Sequence, residues 1–65
     1  MSILERLASF DHAMTVAELT ELLNLGRTAI YDMVRRDAIP CIRIGYSVRF
    51  DPDEIAKWLR ARSSK

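Results

Sequence analysis

Residues 15–49, TVAELTELLNLGRTAIYDMVRRDAIPCIRIGYSVR, decide how this chain is read. Thr15 with Glu18 three residues on forms a capping box, the hydroxyl accepting from the Glu18 amide while the carboxylate reaches back to the Thr15 amide. Val16, Leu19, Leu22 and Leu23 then recur at helical spacing and make one apolar face. Asn24-Leu25-Gly26 breaks that helix. Gly26 is expected to absorb the tight turn, and Leu25 to plug the angle behind it. A second helix opens at Arg27, with Ile30, Met33 and Val34 as its buried stripe. Arg27, Thr28, Tyr31, Asp32 and Arg35 lie on the other side. Pro40 ends any continuation and pushes Ile39 toward extended geometry.

Beyond Pro40 the period changes from helical to two. Cys41-Ile42-Arg43-Ile44, a turn at Gly45-Tyr46-Ser47, and Val48-Arg49-Phe50 predict a hairpin with its apolar side chains inward. On that reading Arg43 and Arg49 both point outward and lie near one another. Gly45 supplies the positive φ of the turn. Asp51-Pro52-Asp53-Glu54 starts a further helix, with an acceptor at the cap, proline in the first turn and acids at the positive dipole end. Its stripe of Ile55, Trp58 and Leu59 closes the core. Ser2 with Glu5 caps a short N-terminal helix bearing Ile3, Leu4 and Leu7, and Phe10, Asp11 and His12 follow as a connector. The fold class is α+β, mostly α: two helices across a short turn, a two-stranded β-hairpin wing and a C-terminal helix. Residues 1–65 form one domain, with residues 1–11 as an accessory N-terminal helix and residues 60–65 as a frayed basic tail.

Sixty-five residues leave little room for an enclosed substrate pocket, and the 49% apolar share is that of a folded globule. No apolar run reaches the length of a membrane span or of a signal-peptide core, so a cytoplasmic protein is expected, without a membrane partner. Cys41 is the only cysteine, which excludes an internal disulfide and argues against structural zinc. The residues offer no nucleophile–base pair, no metal-ligand cluster and no phosphate-binding glycine loop, so no enzyme, cofactor or metal is expected.

The formal net charge is only +1, but its distribution is uneven. Residues 1–26 hold four acids against one arginine, whereas residues 27–49 hold five arginines against two aspartates. Positive charge therefore gathers on the second helix and the hairpin, as a reader of double-stranded DNA requires. In such a module the start of the second helix meets base edges and the wing grips the backbone beside it. Arg27 then contacts guanine or a phosphate, or is a solvated first-turn arginine. Thr28 stands beside it. Tyr31 donates to a phosphate or fills the edge of the core. Arg35 and Arg36 are phosphate candidates, and Asp32 accepts from cytosine or orders those two arginines. On the wing, Arg43 and Arg49 are the anion candidates and Tyr46 and Ser47 the tip; the alternative is a solvated hairpin whose arginines protect its edges. Trp58 is core, and His12 is incidental.

Residues 15–50 together resemble the excisionase family of small DNA-binding proteins, a winged helix-turn-helix group related to the DNA-binding domains of MerR-type regulators. The likeness covers residues 14 to about 59, and its specific parts are the R-x-x-I-Y helix, the following I-P, and R-I-G…V-R-F-D. It implies a recombination directionality factor that binds adjacent sites on attachment DNA of a phage or mobile element, bends it, and turns a partner integrase toward excision. Carried over by position, Arg27, Thr28, Tyr31 and Arg35 form the major-groove element, and Arg43, Tyr46, Ser47 and Arg49 the wing. Asp32 stands where a basic or neutral residue is commoner, and Gly26 where serine usually caps. Both departures imply weak single-site binding and a need for neighbouring copies. Ile3, Leu4, Leu7 and Phe10 either dock head-to-tail on the next protomer or cover their own core. Two rival functions use the same elements: a small transcriptional regulator on inverted repeats, and a winged-helix adaptor for an acidic protein partner.

Overall fold

Local capping chemistry places the helices. In the computed structural model, which describes residues 2–63, α1 spans Ile3–Ala8, α2 Val16–Leu23, α3 Arg27–Arg35 and α4 Pro52–Ser63. Ser2 with Glu5 and Thr15 with Glu18 form both expected capping boxes. Asp51 caps α4 by accepting the Asp53 amide at 3.1 Å, with Pro52 in the first helical position. α4 stays helical past Arg60 through Ser63, where a frayed end was expected; residues 64 and 65 lie outside the described residues.

The turn between α2 and α3 differs from the expectation. Asn24, not Gly26, adopts the left-handed conformation, with φ 57°, while Gly26 sits at an ordinary φ of −75° as the N-cap of α3. A helix C-terminus is where a left-handed residue closes the last turn, and asparagine is among the few side chains that tolerate it. Leu25 plugs nothing and is exposed, because the buried Leu22 and Ile30 of the two helices already fill the core there. At its far end α3 stops in a Schellman motif. The Asp37 amide donates to Val34 O at 3.1 Å and the Ala38 amide to Met33 O at 2.8 Å, with Asp37 at φ 56°.

The wing is β1, Ile42–Ile44, paired antiparallel with β2, Ser47–Arg49. Its connection is two residues long, Gly45-Tyr46, with positive φ at Gly45 alone, the type II′ pattern. The expected turn was three residues long. Dropping one residue from the loop slips the register by one, and a one-residue slip sends a side chain to the other face. Arg43 therefore pairs with Val48, and Arg49 with Ile42. The two arginines leave opposite faces of the hairpin, so the expectation that both point outward side by side is overturned. Ile42 and Ile44, expected inward, are 44% and 63% exposed.

Behind the wing, Met14 and Phe50 exchange both backbone hydrogen bonds, 2.7 and 2.9 Å, which stitches the connector to the end of β2. Both side chains are buried, with Leu7, Val16, Leu19, Leu22, Ile30, Val34, Ile39 and Ile55. α1 packs on α4 and α2, and Leu7 is 1% exposed. Of the proposed protomer contacts, Leu7 is thus spent on its own core, Phe10 packs partly against it, and Ile3 and Leu4 remain exposed.

Candidate nucleic-acid interface

Between α3 and the wing runs an open groove of about 400 Å³. Arg27 and Tyr31 line it from α3, one helical turn apart. Tyr46, Ser47, Val48 and Arg49 line it from the wing, and Thr15, Val16 and Ala17 from the start of α2. No acid is among these residues. Ile30 and Val34 are buried beneath α3, which leaves Arg27, Thr28, Tyr31, Arg35 and Arg36 exposed on its outer surface. Tyr46 stands fully exposed at the wing tip. The groove thus unites five sequence-predicted residues: Arg27, Tyr31, Tyr46, Ser47 and Arg49.

Other predicted site residues lie elsewhere. Arg35 and Arg36 share Asp32, one guanidinium on each carboxylate oxygen, at 2.5 and 3.0 Å. Arg36 and then Arg35 hold the Asp32 carboxyl below its ordinary 3.8. These pairs are solvent-exposed, so both arginines keep donors turned to water. Arg43 does not line the groove. It turns toward α3 and donates to the Val34 carbonyl at 3.1 Å, while Arg49 bonds the Val48 carbonyl in its own strand at 2.9 Å.

Sequence reasoning missed the share taken by the start of α2. The capping box at Thr15 was a usable signal, since it marks a first turn that leaves backbone amides without an intrahelical partner. It also missed the acids that gather near Ile42. Two grooves meeting at Ile42 and Asp51 are lined by Asp11, Asp53, Asp37 and Glu54, with no lysine or arginine. On α4 these acids alternate with cations: Glu54 pairs with Lys57 at 3.4 Å, and Asp53 lines another groove with Lys57 and Arg60. His12 is not incidental either. It bonds Asp11 at 2.9 Å and Glu18 at 3.3 Å, and these two acids, Asp11 first, raise its pKa above 6.5. Glu18 is also the acid of the α2 capping box, so the imidazole fastens the connector to the start of α2.

Residues 13–63 match the helix-turn-helix domain family. The chain belongs to that family. The match takes in α2, α3, the wing and α4, and leaves out α1. No curated protein and no solved structure matches the chain. As a helix-turn-helix domain the chain has the architecture of a DNA-binding protein, with α3 as the second helix of its motif. Among the described residues no helix of this domain is long and apolar enough to cross a membrane, and no group of histidine, cysteine and acidic side chains is placed to hold a metal ion.

Proposed function

We propose that the chain binds duplex DNA sequence-specifically and acts as an excisionase. α3 enters the major groove and the wing follows the adjacent backbone. The observation that carries the reading is the acid-free groove. It sets Arg27 and Tyr31 across from Tyr46, Ser47 and Arg49, while Asp11, Asp37, Asp51, Asp53 and Glu54 line other grooves. A groove lined by arginines and no acid can receive a polyanion without like-charge repulsion inside it. Arg27, in the first turn of α3, reads a base edge, with Thr28 beside it; Tyr31, Ser47 and Arg49 hold phosphates. Arg35 and Arg36 add charge at the end of the helix, moderated by Asp32.

The recombination role rests on the resemblance carried by R-x-x-I-Y, I-P and R-I-G…V-R-F-D. On this reading the protein occupies adjacent sites on attachment DNA, bends it, and biases a partner integrase toward excision. Few cations serve each site, and affinity that depends on phosphate contacts falls steeply with salt. Occupancy therefore draws on neighbouring copies. The exposed Ile3 and Leu4 are available for such a contact and the buried Leu7 is not.

Footprinting on the DNA flanking its own gene tests the binding, with Arg27→Ala beside the native chain. Arg27→Ala should relax sequence preference, by about 1–3 kcal/mol of lost discrimination at one position. An excision assay with the integrase encoded nearby tests the recombination role. Specific binding without any change in excision would leave a transcriptional regulator instead.

A further inference from the structure

The hairpin register assigns Arg43 work that its place on the wing conceals. Arg43 stands opposite Val48, so it leaves the hairpin on the face that Val48 and Phe50 turn toward the core. From there its guanidinium reaches α3 and donates from Nη2 to the Val34 carbonyl at 3.1 Å. That oxygen already accepts the Asp37 amide in the turn that ends α3, and it has a second lone pair to offer. It also lies at the negative end of the helix dipole, where a cation is favoured. Arg49 offers the contrast, since its Nη1 bonds the Val48 carbonyl and ties the wing only to itself. On the other flank Trp58 Nε1 donates to the Ala38 carbonyl at 2.9 Å, so α4 holds the segment just after α3.

We propose that Arg43 is a positioning residue: it fixes the wing against α3, and so sets the distance across the groove between Arg27 and Tyr31 on one side and Tyr46 and Arg49 on the other. It does this in place of anchoring a phosphate itself. The inference deepens the reading of that groove as the DNA interface and rests on it.

Two measurements test the assignment separately from that reading. In the free protein, backbone order parameters over residues 44–47 should fall in Arg43→Met toward the flexible range, below about 0.6, and hold at native values in Arg49→Met. Unmoved order parameters in Arg43→Met overturn the strut, whatever the protein does with DNA. On duplex DNA, a double-mutant cycle of Arg43→Met with Tyr46→Ala should show coupling of about threefold or more, because Tyr46→Ala has less to lose once the wing is adrift. Additive losses, with the salt slope of Arg43→Met lowered by about one, mark a phosphate anchor and overturn the proposal. If Arg43→Met does not fold, Arg43→Lys replaces it, keeping the charge without the planar fork. A loosened wing and weakened binding in Arg43→Lys support the strut, and native behaviour in both overturns it. A chain that binds no duplex while its wing loosens in Arg43→Met sinks the DNA reading and leaves the strut standing.

Discussion

Replacing Asp32 by asparagine should tighten DNA binding and steepen its dependence on salt. In the native protein the two carboxylate oxygens each hold one guanidinium, from Arg35 and Arg36, and the pair of arginines presents one net positive charge with Asp32 in place. Asp32→Asn keeps the side-chain shape, removes the negative charge and releases both guanidinium groups. If one more phosphate is then neutralised, the logarithm of the binding constant gains about −0.9 in slope against the logarithm of salt concentration. Extrapolated from about 1 M salt, where this contribution vanishes, that slope corresponds to about fifteenfold tighter binding at about 50 mM and about fourfold at about 200 mM. The assay is a fluorescence-anisotropy titration of a labelled duplex at several salt concentrations, run on both proteins. If Asp32 instead accepts a hydrogen bond from cytosine N4, Asp32→Asn weakens binding to the specific site at every salt concentration. Weaker binding, or an unchanged slope, rules out the release of charge toward DNA. Because the arginines depress the carboxyl below 3.8, the pairing supports the fold above that value and is lost as pH falls through the depressed one.

Other outcomes follow from single contacts. Gly26→Ser should stabilise the fold by roughly 0.5–1 kcal/mol, since α3 lacks a side-chain cap, a Cβ at Gly26 meets open space and its φ suits any residue. A higher urea midpoint at unchanged slope checks it, and a lower midpoint contradicts it. Trp58→Phe removes the donor to the Ala38 carbonyl and should cost roughly 1 kcal/mol in the same experiment. His12 carries a raised pKa through Asp11 and Glu18, so its support for the fold is complete below 6.5 and disappears as pH rises through the raised value. The thermal midpoint of the native chain should therefore exceed that of His12→Gln in mild acid and converge with it in alkali; a gap that widens with pH contradicts this.

What could be read from the sequence was what local chemistry decides. Ser2 with Glu5, Thr15 with Glu18, and Asp51 before Pro52 each satisfy helix-end amides within a single turn, so the helix starts were legible before any packing was known. The wing was legible as an element and illegible as a register. Gly45-Tyr46-Ser47 reads equally well as a three-residue turn or as a two-residue turn plus one strand residue, and that one residue decides which face Arg43 takes. The choice rests with Val48 and Phe50, which must turn inward, and with Phe50 closing on Met14, a partner far away along the chain. The left-handed turn fell on Asn24 because α2 ends there, although a glycine stood two residues on. The candidate site was half legible. Arg27, Tyr31, Tyr46, Ser47 and Arg49 were named from the sequence, but their meeting in one acid-free groove, and the gathering of acids near Ile42, depend on tertiary packing that no spacing records.

If the groove between α3 and the wing is where DNA sits, the response to DNA should centre there and spare the grooves that meet at Ile42 and Asp51. A titration of the isotopically labelled chain with a short duplex, following backbone and arginine side-chain resonances, examines this residue by residue. The largest shifts should fall at Arg27, Tyr31, Tyr46, Ser47 and Arg49, with Asp11, Asp51, Asp53 and Glu54 unmoved. Shifts centred on Ile42 and Asp51, or spread evenly over all sides of the molecule, would place DNA elsewhere and contradict the assignment.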